Sequence, residues 1–220
     1  MNVLIIGAGN MGRGIATRLA SGDNTVTLYN PTRQKAEAVA AELQTASASG
    51  ASVKVADSLE QALPQNEVVV LASWYPVNLS LAKELGAELG GKVVIDISNP
   101  LNETYSGLST EPGTSAAETI QAALPADVKL VKAFNTTFAG TLLEGQVNGQ
   151  PLDVFIVGDD EAAKTTVAAL AQSGGLNPID VGGLERAQQL EGLALLGITL
   201  QPRLNTGFMT AWKLLVPEQA

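Results

Sequence analysis

The chain has neither cysteine nor histidine. The first absence removes disulfides, iron–sulfur ligation and thiolate nucleophiles. The second removes histidine-centred metal sites and the Ser–His or Cys–His pairs of nucleophilic catalysis. Acid–base chemistry would fall to Asp, Glu, Lys, Tyr, Ser or Thr, and no metal site is expected. A cysteine-free chain also fits the cytoplasm. Basic residues are few: 13 Lys and Arg stand against 22 Asp and Glu, a net charge of −9. The deficit is concentrated late, since residues 101–220 hold six basic and 13 acidic side chains. Neutralising a phosphate backbone needs a basic surface, so nucleic acid is excluded as a partner. Long apolar runs are missing too. The longest, "EVVVLAS" and "KVVIDIS", are strand-length, well short of the roughly 20 residues that span a bilayer. The first residues enter a strand with no basic or long apolar leader, so neither a membrane span nor a signal peptide is expected.

What the chain does have is alternation. With 220 residues, 45% of them hydrophobic, it can bury a full core. Val/Ile-rich runs near Val3–Ile6, Thr25–Tyr29, Val53–Ala56, Val68–Ala72, Val93–Ile97 and Lys129–Ala133 are apolar on both faces, as strands of a covered parallel sheet are. Between them lie helix-forming segments. Capping-box spacing opens two of these, Ser58 to Gln61 and Ser115 to Glu118. "PLDVFIVGDDEAAKTTVAALAQSGGLNPIDVGG" reads strand, helix, strand, and "LERAQQLEGLALLGITL" continues as helix. The alternation predicts an α/β fold: a doubly wound, mostly parallel Rossmann sheet with a small carboxy-terminal extension. Segment 98–114, rich in Gly, Ser, Thr and Pro, is expected to be an irregular functional loop.

Gly7, Gly9 and Gly12 form G-x-G-x-x-G between an apolar strand and a helix, the context a dinucleotide cradle requires. The cradle comprises Gly7, Ala8, Gly9, Asn10, Met11 and Gly12, with the helix N-terminus turned toward the pyrophosphate. Eighteen residues after Gly12 the second strand ends in Asn30, where NAD-binding chains usually carry a carboxylate. A carboxylate there repels a 2′-phosphate; Asn30 does not. Thr32 adds a hydroxyl and Arg33 a planar fork of donors. The pattern predicts NADP over NAD. The alternative is a turn at Asn30–Pro31 followed by a solvated Arg33. Lys35 and Arg13 are weaker phosphate candidates.

In open α/β sheets ligands lie beyond the carboxyl ends of the strands. The residues expected there are Ala72, Ser73, Trp74 and Pro76 after the fourth strand, Asn99 after the fifth, and Ala133 and Asn135 after the sixth. Trp74 stands either against a ring or simply at the rim. Asn99 and Asn135 bind either a carboxamide or loop backbone. Asp96, inside an apolar strand, reads as a structural carboxylate.

The amino-terminal fingerprint, with "VVIDISNPLN", "VKAFNTTFAG", "VFIVGDDEAAKTTVAALAQSGG" and "PIDVGGLERAQQLEGLALL", resembles the F420-dependent NADP oxidoreductases over nearly the whole chain. The resemblance implies a Rossmann domain over 1–135 and a smaller portion over 136–220 that closes the site. It implies NADP(H) as cofactor, F420 as second substrate, and hydride exchange between nicotinamide C4 and deazaflavin C5. The family's phosphate-binding element maps onto Thr32–Arg33, and its nicotinamide-side segments onto Ser73–Pro76, Asn99–Pro100 and Ala133–Thr136. Direct hydride transfer between stacked rings is achieved by positioning, so no catalytic side chain is expected. The anionic tail of F420 calls for basic residues; Lys132, Arg186 and Arg203 are the few candidates, each read as a surface charge. A flavin, quinone or small carbonyl acceptor stays open. So does an NADP-binding sensor in which Trp74 or Phe138 closes the ring face. The stretch "LLGITLQPRLNTGFMTAWKLL" is expected to be helical, packing under the sheet or forming a homodimer seam.

Overall fold

Apolar runs of four or five residues become strands here because both faces of each find cover. The computed structural model describes residues 1–46 and 52–217. In chain order these form β1 Asn2–Ile6, α1 Asn10–Ser21, β2 Thr25–Tyr29, α2 Arg33–Ala46, β3 Ser52–Val55, α3 Leu59–Ala62, β4 Val68–Leu71, α4 Tyr75–Glu84, β5 Val93–Asp96, α5 Ala116–Ala123, β6 Lys129–Lys132, α6 Ala139–Glu144, β7 Gln146–Val147, β8 Gln150–Pro151, β9 Asp153–Gly158, α7 Glu161–Ser173, β10 Asn177–Gly182 and α8 Ala187–Leu204. β1 shows the principle: Val3 and Ile5 enter the core shared with α1 and α2, while Leu4 and Ile6 enter the core on the opposite face. Every residue of β4 is fully buried, as expected for a central parallel strand.

The eight-stranded sheet runs β10-β9-β6-β5-β4-β1-β2-β3. Six strands in the order 3-2-1-4-5-6 are parallel, the doubly wound Rossmann arrangement. The order reverses between β1 and β4, and a crevice opens beyond their carboxyl ends. β9 then adds antiparallel to β6, and β10 parallel to β9. The later part of the chain thus extends the same sheet; residues 218–220 of the expected 136–220 portion lie outside the described residues. All six strands expected before residue 136 are present.

Local chemistry sets several boundaries. Ser115 and Glu118 form a reciprocal capping box at α5, and Ser58 caps α3. Pro76 occupies the first turn of α4, where its missing N–H costs nothing. Segment 98–114 has no helix and only an isolated bridge between Leu101 and Leu108.

One expectation is corrected. The carboxy-terminal stretch is not helical throughout: α8 ends at Leu204, and residues 206–217 have no regular structure. Pro202 removes a donor from the last turn, and Asn205 takes the left-handed cap conformation at φ +50°. The tail is fastened to the start of β9, where Asp153 accepts from the Lys213 ammonium and, at 2.7 Å, from the Leu214 N–H.

Candidate active site

Gly7 lies at φ +119°, a conformation that side-chain-bearing residues rarely adopt. Its N–H donates to the Tyr29 carbonyl at 2.8 Å. A Cβ at Gly12 would strike the Gly7 carbonyl oxygen, whereas a Cβ at Gly9 would meet nothing within 4 Å among the described residues. Gly12 therefore closes the loop on itself, and Gly9 leaves its outer face open. That open face beside the N-terminus of α1 fits a pyrophosphate.

Asn30 ties the loop to β2. Its Oδ1 accepts from the Ala8 N–H at 3.3 Å, and its Nδ2 donates to the Thr32 carbonyl at 3.0 Å. The neutral amide thus donates and accepts at once, which a carboxylate cannot do. The Arg33 fork is occupied by two carboxylates, Glu37 at 2.7 Å and Asp57. Both pairs are exposed, so exchanging them for another anion costs little, about 0–1 kcal/mol each. Arg13 is paired with Glu42, while Lys35 faces the cleft.

At the ends of β5 and β6 the chain buries a charge cluster. Lys132 Nζ is within 2.8 Å of Asp96 Oδ2, 2.8 Å of the Ser98 carbonyl and 3.0 Å of Glu191 Oε1. All three charged side chains are wholly inaccessible. Burial alone would lower the Lys132 ammonium, but Asp96 and Glu191 outweigh it and hold it above the usual lysine range. Burial pushes the Glu191 carboxyl up, against the pull of Lys132. The surface placement expected for Lys132 is therefore corrected: its two carboxylate partners draw it inside. Arg186 and Arg203 are exposed. Asp96 is the structural carboxylate expected.

Three residues beyond Lys132, Asn135 pairs reciprocally with Asn99. Asn99 Nδ2 donates to the Asn135 carbonyl, and Asn135 Nδ2 donates to Asn99 Oδ1, both at 2.9 Å. Asn135 Oδ1 is buried and has no partner among the described residues. Between Lys132 and Asn135, buried Phe134 adopts φ +62°; such strain in a bulky residue is typical of segments shaped for a site.

The glycine loop, Asn30, Lys35 and the Asn99–Asn135 pair line one cleft of about 970 Å³. Of the expected residues, Gly7, Gly9, Asn10, Met11, Asn30, Ala72, Ser73, Trp74, Asn99 and Asn135 face it. Ala8, Gly12 and Ala133 are buried behind its wall, and Thr32, Arg33 and Pro76 are exposed outside it. Sequence reasoning missed Ile97, Leu101, Tyr105, Thr137, Ala139, Gly140, Ile198, Gly207 and Phe208, which complete the lining. Trp74, Tyr105, Phe138 and Phe208 stand there in a chain with only four Phe, three Tyr and two Trp. Phe138 and Phe208 meet edge to face at 5.3 Å. The available signal for Phe208 was an aromatic placed just after the helix-ending Pro202, Asn205 and Gly207. Among the described lining residues Lys35 is the one charged side chain, and none is a carboxylate. In so acidic a chain, that is a wall suited to an anionic ligand.

Residues 2–100 match the family model described as "NADP oxidoreductase coenzyme F420-dependent". The chain is 32% identical over 211 residues to the F420-dependent NADP reductase of Methanocaldococcus jannaschii, covering 91% of this chain and 93% of that one. It is also 32% identical over 193 residues to Metalloreductase STEAP3 of Rattus norvegicus, covering 87% of this chain but 36% of that larger protein. Among solved structures, a protein of Arthrobacter sp. FB24 provisionally described as an F420-dependent NADP reductase superposes with a TM-score of 0.77 and 30% identity, over 94% of this chain and 96% of that one. By identity, coverage and fold together, the chain belongs to the F420-dependent NADP reductase family.

Proposed function

We propose that the chain is an oxidoreductase exchanging hydride between NADP(H) and coenzyme F420 within this cleft. The observation that carries the proposal is the continuity of the cleft across the strand ends: an open glycine cradle and a neutral Asn30 at one side, an aromatic wall with no carboxylate at the other. When bound, the nicotinamide and deazaflavin rings supply the hydride donor and acceptor. The protein's residues bind and orient. Gly7, Gly9 and Gly12 seat the pyrophosphate. Thr32, Arg33 and Lys35 take the 2′-phosphate, with Arg33 exchanging its exposed carboxylate partners. Asn135 Oδ1, buried without a partner among the described residues, is an acceptor suited to the nicotinamide carboxamide, and Asn99 holds it in place. Trp74, Tyr105, Phe138 and Phe208 offer faces and edges to the second ring and exclude water. Trp74 is 65% exposed at the cleft edge and leaves the ring face open, which favours an enzyme over a sensor.

Residues 1–135 act as the dinucleotide-binding body, and 136–220 supply the closing wall through Phe138, Ile198 and Phe208. The exposed Leu196, Leu204, Leu215 and Val216 give that portion an apolar flank suited to a second copy of the chain, and the lack of cysteine fits a cytoplasmic setting. A different acceptor is the second reading, favoured by the equal identity to a metalloreductase. Stopped-flow mixing of NADPH-loaded protein with F420, FMN, a ferric chelate and a carbonyl panel tests both. F420 is expected to oxidise the bound NADPH at least ~10-fold faster than any other acceptor. Faster oxidation by another compound reassigns the acceptor, and no oxidation by any of them makes the chain a binding protein.

A further inference from the structure

Seven residues centred on Lys132 form a buried polar network that reaches the cleft lining at Ser98 and ties together β5, β6 and α8 behind it. The Lys132 ammonium donates to Asp96 and the Ser98 carbonyl and is ion-paired with Glu191 at 3.0 Å. Asp96 Oδ1 accepts from the Ser98 N–H at 3.1 Å, the Ser98 hydroxyl at 2.7 Å and Asn78 Nδ2 at 2.9 Å. Asn78 reaches on to the Leu71 carbonyl at the end of β4, at 2.8 Å. Glu191 accepts from the Ala116 N–H at the start of α5, at 3.0 Å. Asp96, Lys132 and Glu191 are all fully buried.

One arm ends in the cleft lining, and the others hold elements just behind it. Ser98 lines the cleft and directly precedes Asn99; Lys132 precedes Asn135 by three residues; Glu191 lies on α8, two turns before the lining residue Ile198. An ammonium and two carboxylates removed from water are poor stabilisers, since apolar residues of similar volume commonly stabilise a core as well or better. What such a cluster supplies is geometry. We infer that Lys132, with Asp96 and Glu191, is a positioning hub that fixes the β5 rim, the β6 rim and α8 relative to one another, and so sets the nicotinamide end of the site without touching the ligand.

This inference rests on the assignment of the cleft to NADP(H), and its test separates the two. The ligand 2′,5′-ADP occupies only the phosphate end; NADPH occupies both ends. Isothermal titration of wild type with 2′,5′-ADP checks the cleft assignment by itself, and absence of binding there overturns both claims. Glu191→Gln preserves shape and one acceptor toward Lys132. It is expected to leave 2′,5′-ADP affinity within about twofold, while the affinity advantage of NADPH over 2′,5′-ADP falls about fivefold or more and the F420-coupled hydride rate falls at least ~10-fold, because small misplacements of reacting groups are costly. Lys132→Met should show the same pattern more strongly; if it does not fold, Glu191→Gln alone decides. Parallel loss of affinity for both ligands, or an unchanged NADPH advantage in Glu191→Gln, overturns the hub.

Discussion

The two ends of the cleft are built in opposite ways. At the phosphate end one short segment does nearly everything. Gly7 to Gly12 make the loop, the next helix opens its N-terminus onto the cleft at Asn10, and Asn30 closes the loop from the neighbouring strand. Backbone groups carry the chemistry, and they are fixed by local conformation. At the ring end no segment suffices. Asn99, Tyr105, Asn135, Phe138, Ile198 and Phe208 come from four separate stretches of chain, held together by a buried charge cluster and a fastened tail. A local device tolerates change elsewhere but not within itself. An assembled device is exposed to perturbation through every element that supports it.

The sharpest way to break the phosphate end is at its glycines. Gly12→Ala drives a Cβ into the Gly7 backbone carbonyl, which has no flexible end to give way. It should abolish NADPH binding and also lower stability by about 1–3 kcal/mol, read by titration calorimetry and thermal melting. Gly9→Ala meets nothing within 4 Å among the described residues, so its melting temperature should be unchanged while NADPH affinity falls by roughly two decades. An unchanged affinity would remove the pyrophosphate from that open face. Next in size, Arg33→Ala should lose about 1.5–3 kcal/mol with NADPH, or one to two decades in kcat/KM, and little with NADH. Equal losses with both would return Arg33 to its role as a partner of Glu37 and Asp57.

The ring end should respond more gently. Phe208→Ala removes the edge-to-face pair with Phe138 and should raise acceptor KM about two- to tenfold, on a pair worth roughly 0.5–1.5 kcal/mol, with NADPH affinity unchanged. The smallest effect concerns the tail. Burial would raise the Asp153 carboxyl, but hydrogen bonds from Asn177, Lys213 and the Leu214 N–H outweigh it and hold it below the usual range. A carboxyl depressed on folding contributes stability that is complete above its unfolded value, about 3.9. That contribution is lost as pH falls through the lower folded value. Trp212, which lies against Gly197 of α8, should report tail release by its fluorescence in that acid window, and Asp153→Asn should release the tail at neutral pH. A tail signal identical in wild type and Asp153→Asn across the titration would show that the latch lies elsewhere.

The sheet was legible because its signal is local and repeated: two-sided apolar strands, capping residues and the glycine fingerprint each act over a few residues. The glycine loop was legible for the same reason: it lies between β1 and α1 as its spacing predicted, with Asn30 directly after β2. Lys132 was misread because composition places lysine outside; only Asp96 and Glu191, 36 positions before and 59 after it in the sequence, make its burial tolerable. The tail was misread because its apolar residues suit a helix, while Pro202 and Asn205 stop one.

The sequence by itself determined the alternation of strand and helix, the glycine loop between β1 and α1, and a neutral Asn30 where β2 ends. Tertiary structure alone decided that Phe208 meets Phe138, that Asn135 is left with an acceptor unpartnered among the described residues, and that one ammonium joins β5, β6 and α8. The physical reason is range: dihedral preference and periodicity act between near neighbours, whereas desolvated charges and ring contacts are specified only by what the fold brings beside them.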